Sequence, residues 1–253
     1  MPVEDDSTMG TNGSGSYRFY DSDGDGTTYA SEGGDVENAL NLLEQYSANA
    51  KRPNYSYVKR GSVWPNARLD MISNFPQANH IMDYGDPSEP RPHFTIDSGQ
   101  TSDGAIDEYV TASTPNGSII EGLDIDINGN AIRGLNCTNW LNITVNRVSI
   151  KNNDQSLNSA GFYFNDCDNW TLRHSDTENI YGDGAYQTNT FTSEVGFNKF
   201  RQPLQADADG FQASNEGDTD QYNWDVWHHD NISIIADGTT GKGGSIMTVL
   251  FGY

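Results

Sequence analysis

The sequence predicts an all-β chain wound as a solenoid of short strands, and three observations carry that expectation. Gly134-Leu135, Gly161-Phe162, Gly184-Ala185 and Gly210-Phe211 each open a short β-type run, and the spacing between them is nearly constant. A second series, Ile143/Val145, Trp170/Leu172, Val195/Phe197 and Trp224/Val226, keeps almost the same period and stays in phase with the first. From about Tyr57 onward helical periodicity is absent, and short apolar runs are bounded by Asn, Asp and Gly instead. A period in the twenties built of strands and turns is the mark of stacked β-coils, because one coil cannot bury its apolar face alone. Leucine-rich and ankyrin repeats have similar periods, but their Leu and helical signatures are missing.

Composition agrees with a thin core and many turns. Only 34% of the 253 residues are hydrophobic, yet 26 Gly, 13 Tyr and 5 Trp are spread along the chain, which separates it from a disordered polymer. The formal net charge of -22, from 36 acidic against 14 basic residues, argues against binding nucleic acid through phosphates or adhering to anionic lipid. Most of that charge reads as a solvated surface suited to salty water, and part of it as carboxylates able to gather Ca²⁺. No apolar run is long enough to span a membrane. The first residues lack a basic start and an apolar stretch, so they do not read as a secretory signal.

In chain order, residues 1–16 read as a flexible tail of Gly, Ser, Thr and Asn. Residues 17–56 hold a short strand (Tyr17-Arg18-Phe19-Tyr20), an acidic loop and one helix. That helix, from Asp35 to Ala50, has Asp35 at the N-cap and Val36, Ala39, Leu40, Leu43 and Tyr46 near helical spacing. Residues 57–253 form the solenoid. Cys137-Thr-Asn-Trp140 and Cys167-Asp-Asn-Trp170 share a local pattern, so the two cysteines read as stacked core thiols on neighbouring coils, with a disulfide as the less favoured alternative. The final run, Gly244 to Tyr253, reads as a strand with no polar cap after it. The expectation there is an incomplete solenoid or an end covered by a partner subunit.

Several of these segments resemble one superfamily. Tyr17 to Thr27, the helix, Val58-Lys59-Arg60-Gly61-Ser62-Val63-Trp64, and Met82-Asp83-Tyr84-Gly85-Asp86-Pro87 with Pro92 resemble the opening of pectate-lyase-like right-handed parallel β-helix proteins. Ala208-Asp209-Gly210-Phe211-Gln212 resembles strand starts in their polysaccharide lyases and phage tailspikes. The resemblance runs from about Tyr17 to the end. It implies a right-handed parallel β-helix whose open end is covered by the N-terminal helix, which would shield unpaired strand edges. It also implies a polysaccharide partner, acidic or neutral, an extracellular or virion-surface setting, and in a tailspike a homotrimer. Fold resemblance does not specify a reaction.

Three groups of residues could carry chemistry. Asp21, Asp23, Asp25, Gly26 and Glu32 match the spacing of a calcium loop, in which alternate carboxylates converge on one cation. The segment before it is strand-like rather than helical and Thr28 stands where an apolar residue is usual, so a solvated turn is the plainer reading. Asp183 and Asp209 each precede a ladder glycine, and Asp207 lies just before Asp209. Stacking places Asp183 and Asp209 on neighbouring coils, roughly 4.8 Å apart. There they could share a proton for glycoside hydrolysis or a Ca²⁺ for β-elimination of a uronate, or only shape turns. Lys199, Arg201 and Lys242 are the candidate cationic base or clamp, the role that Lys or Arg fills in the resembling lyases, and Lys242 is also a candidate substrate contact. Finally, Trp227, His228 and His229 suggest a sugar-stacking platform, with Trp227 and His229 on the solvent face by strand parity. No zinc-type spacing and no Gly-x-Ser-x-Gly elbow is present. The functional expectation is a polysaccharide-recognising β-helix of tailspike type, with cleavage of the glycan left open. A secreted Ca²⁺-dependent lyase and a non-catalytic structural solenoid are the rivals.

Overall fold

The computed structural model of the protein describes residues 16–19, 54–64, 69–73, 79–96, 102–110, 117–152, 160–190, 192–202, 209–214 and 225–235. Every regular element among them is a strand, and every pairing is parallel. Three sheets run the length of the described coils. The first stacks β1 (Ser16–Phe19), β2 (Asn54–Lys59), β5 (Asn79–Tyr84), β8 (Ile119–Glu121), β11 (Thr144–Asn146), β14 (Trp170–Arg173), β17 (Ser193–Gly196) and β20 (Val226–His229). The second stacks β3 (Val63–Trp64), β6 (His93–Thr95), β9 (Asp124–Asp126), β12 (Ser149–Lys151), β15 (Asp176–Glu178), β18 (Lys199–Gln202) and β21 (Ile232–Ile235). The third stacks β4 (Leu69–Ser73), β7 (Ser102–Val110), β10 (Ala131–Thr138), β13 (Ala160–Asn165), β16 (Ala185–Thr188) and β19 (Phe211–Ser214). From β2 onward the described strands fall in the first, second and third sheets in turn and then repeat, which is a parallel β-solenoid.

Each sheet contributes a column of stacked side chains to one core. Ile81, Ile120, Val145, Leu172 and Val195 are level with one another in the first sheet. Trp64, Phe94, Ile125, Ile150, Thr177 and Phe200 are level in the second, where Thr177 and the Trp64 indole N–H are the polar members. Ile106, Leu135, Phe162, Ala185 and Phe211 form the third column. All are buried, and stacking lets each coil cover the apolar face of the next. Phe164 and Trp170 stack inside the core with ring centroids 3.8 Å apart.

The glycine ladder falls where the sequence places it: Gly134, Gly161, Gly184 and Gly210 are level on successive coils. A Cβ on Gly161 would lie 2.5 Å from the Gly184 carbonyl oxygen, and one on Gly184 would lie 2.6 Å from that of Gly210. The absent side chain is what lets neighbouring backbones approach.

Two expectations are corrected. The coil that carries the cysteines is shorter than the repeat of the Cys-x-x-Trp pattern, so the pattern slips out of register. Cys137 lies level with Phe164, and the Leu141–Asp168 bridge puts Cys167 level with Trp140. Both cysteines are buried thiols, and the Cys167 thiol donates to the Cys137 carbonyl at 3.5 Å. The second ladder also shifts. Leu172 is level with Val195, but Val195 is level with His228 and not with Val226, because the last described coil is longer than the three before it. Phe197 leaves that ladder altogether and is an exposed corner residue. The N-terminal helix at 35–50, the loop at 21–32 with Asp21, Asp23, Asp25 and Glu32, and the run 244–253 lie outside the described residues. Asp207, Trp224 and Lys242 do also.

Candidate functional site

The strands of the second sheet are short and set a buried residue, apolar in all but Thr177, between two polar ones: Asp124-Ile-Asp126, Ser149-Ile-Lys151, Asp176-Thr-Glu178, Lys199-Phe-Arg201. The central residue points into the core and its neighbours point out. Stacking these triplets builds two outward rows. One runs His93, Asp124, Ser149, Asp176 and Lys199, the other Thr95, Asp126, Lys151, Glu178 and Arg201.

A groove of about 440 Å³ lies along this face. Arg91, His93, Asp124, Ser149, Asp176 and Arg201 are among its lining residues. From β6 to β18 it crosses four inter-strand steps, roughly 19 Å along the solenoid axis.

Asp124 and Asp176 are two steps apart on the same row, with the small Ser149 between them. That sets their Cα atoms roughly 9–10 Å apart. Their surroundings differ. Burial pushes the Asp124 carboxyl above the usual carboxylate range and the Asp176 charge adds to this, while Arg91, His93 and Lys151 pull the other way without cancelling it. Arg91 Nη2 stands 2.7 Å from Asp124 Oδ1. Asp176 Oδ2 accepts from the Ser149 hydroxyl at 2.9 Å and from Arg201 Nη2 at 3.0 Å. His93 Nε2 and Arg201 Nε are buried and bond to no other atom among the described residues.

The structure distributes the sequence-predicted residues over three places. Arg201 lines the groove, and Lys199 lies exposed on the same face, level with Asp176. Asp183 and Asp209 stack on neighbouring coils at the opening of the third sheet. There Asp183 Oδ1 accepts the Asp209 backbone N–H at 2.9 Å, a bond that ties one coil to the next. The strand β20 directs its residues alternately. Trp227 is 60% exposed, whereas His228 stacks on Phe211 with centroids 5.3 Å apart and burial lowers its pKa. His229 lies on Trp227 at 4.2 Å, with its Nε2 2.9 Å from Glu194 and its Nδ1 2.9 Å from Asp230. The hydrogen bonds to Asp230 and then Glu194 raise its pKa.

Asp124, Ser149, Asp176, Arg91 and His93 are absent from the sequence reading. The signal that could have found them is the triplet of a buried residue between two polar ones that recurs once per coil, centred on Ile125, Ile150, Thr177 and Phe200. No protein-family model, curated protein or solved structure matches this chain.

Proposed function

We propose that this protein recognises a polysaccharide and hydrolyses it in the groove of the second sheet. One observation carries the reading: Asp124 and Asp176 share an outward row, two coils apart, in unlike electrostatic surroundings. Two carboxyls about 6.5–9.5 Å apart suit inversion, because that gap holds a water beside the sugar, whereas retention needs about 5–5.5 Å. Asp124, held up by burial, is the general acid and protonates the glycosidic oxygen. Asp176 is the base and takes a proton from water as that water attacks the anomeric carbon from the opposite face. The C1–O bond breaks, the leaving sugar keeps Asp124's proton, and proton exchange with solvent resets the pair.

The cationic groups at the groove favour a second reading, β-elimination of a uronate, in which Lys151 or Arg201 takes the α-proton. A tailspike-type or secreted setting, outside the cell or on a virion, suits either chemistry, and the tailspike form implies a trimer.

The test is incubation with a panel of polysaccharides (pectate, alginate, sulfated algal glycans, dextran, galactomannan), following reducing ends and unsaturated product. Hydrolysis is expected, and both Asp124→Asn and Asp176→Asn should lower it by at least about 100-fold. Unsaturated ends would establish elimination instead. Full activity in either variant would remove that residue from the chemistry.

A further inference from the structure

Twelve non-glycine residues among those described have positive φ, and nine of them are Asn or Asp, the residues that tolerate this conformation best. The other three are Arg147 (φ 55°), His174 (φ 49°) and Phe197 (φ 58°). They occupy one corner, between the first and second sheets, on three successive coils. Gly122 (φ 73°) precedes them there and Asp230 (φ 52°) follows.

The backbone of this corner does not need these side chains. The adjacent inward residues hold it: Ser175 N–H donates to Asn198 Oδ1 at 2.9 Å, Asn198 N–H to Asn231 Oδ1 at 2.9 Å, and Asn231 Nδ2 to the Val195 carbonyl at 2.7 Å. A bulky residue in the left-handed region carries a conformational cost. Phe197 adds an exposed ring, 49% accessible. The Arg147 guanidinium is held by Asp83 at 3.2 Å and Glu121 at 3.1 Å, whereas the His174 and Phe197 rings meet only other exposed or half-buried rings.

The side chains instead form a continuous outward strip. His174 stacks on Phe197 at 5.2 Å, Phe197 meets His229 edge-on at 5.1 Å, and His229 lies on Trp227 at 4.2 Å. The strip is braced from below. Glu194 receives Arg173 Nη2 at 2.5 and 2.6 Å and faces His229 Nε2 at 2.9 Å. Gly196 makes room for the His229 ring, since a Cβ there would lie 2.5 Å from Nε2. One coil before His174, at the same corner, Arg91, which lines the groove, donates from Nη1 to the Arg147 carbonyl at 2.5 Å.

We infer that this corner, from His174 through Phe197 and His229 to Trp227, is a second glycan-binding surface that takes the apolar ring faces of neutral sugar units. Exposed rings edged by Arg173, Glu194 and His229 suit a ligand with an apolar face and a hydroxyl rim. A second copy of a chain carrying a net charge of -22 would bring like charge to the same face. The inference rests on the polysaccharide reading above but not on cleavage.

Affinity electrophoresis of the full chain through gels containing dextran or galactomannan tests it. Wild type should be retarded by at least one of the two. Trp227→Ala and Phe197→Asn should each weaken retardation about tenfold or more. Phe197→Asn should melt no lower than wild type, because Asn suits the corner, so its loss of binding is separable from misfolding. Retardation that persists, and is lost in the strip variants, with a polysaccharide that the protein does not cleave would leave the strip standing without the cleavage reading. Absence of retardation by both gels, or unchanged retardation in both strip variants, would overturn the inference. So would a change of oligomeric state in those variants with retardation intact.

Discussion

Asp183 is the residue whose surroundings most directly set a measurable property of the fold. Burial pushes its carboxyl up to about 6, and the Asp209 charge adds to this while the Asp209 N–H opposes it. In the unfolded chain an Asp titrates near 3.8. The folded state therefore holds the proton more tightly. The stabilisation this gives is complete below about pH 4 and is lost as pH rises through about 6. The loss is on the order of 2–3 kcal/mol. Asp183→Asn keeps an oxygen to accept the Asp209 N–H and has nothing to ionise. Relative to the variant, wild type should lose melting temperature between about pH 4 and pH 7, and parallel melting curves across that range would refute the assignment. The position of Asp183 is readable from the sequence because it sits beside a glycine whose place is fixed by backbone contact. Its engagement with a backbone N–H, rather than with the Asp209 carboxylate, is not, since side-chain direction at a coil edge depends on register and rotamer together.

Among the elements, the glycine ladder and the corners decide how coils stack. Gly161 and Gly184 face carbonyl oxygens that have no room to move, so Gly161→Ala should cost on the order of 2–3 kcal/mol, read from denaturant unfolding. A loss below about 0.5 kcal/mol would mean the coils are looser than described. The same rigidity explains why this ladder can be traced by eye while the aromatic one cannot. Coil length changes in the connections: the chain from Phe211 to His228 is longer than the chain from Ala185 to Val195, although both join the same two levels of the third and first sheets. A sequence ladder that tolerates a little slippage absorbs such a change silently. Phe197 then looks like an inward partner of Val195, on the same parity as in a strand, although the strand ends at Gly196 and the chain turns at Phe197. The cysteines mislead in the same way, since a local pattern need not repeat at the coil length.

At the scale of the whole molecule, three parallel sheets give the chain long flat faces, and the second sheet concentrates chemistry on one of them. Arg91, Lys151 and Arg201, three of only 14 basic residues, line one groove of a protein with 36 acidic ones. They are paired there with Asp124, Asp126 and Asp176 at 2.7, 3.3 and 3.0 Å. The solenoid itself is legible from period and composition. The groove is not, because its residues are spread over triplets a full coil apart and become neighbours only when coils stack at one register. The measurement that tests the account most directly is proton NMR of wild-type protein acting on a polysaccharide from the panel, observed from the first minutes. The spacing of Asp124 and Asp176 predicts new reducing ends that appear first as the anomer opposite to the cleaved linkage and then mutarotate. Reducing ends of the same anomer, or no cleavage of any polysaccharide in the panel, would contradict it.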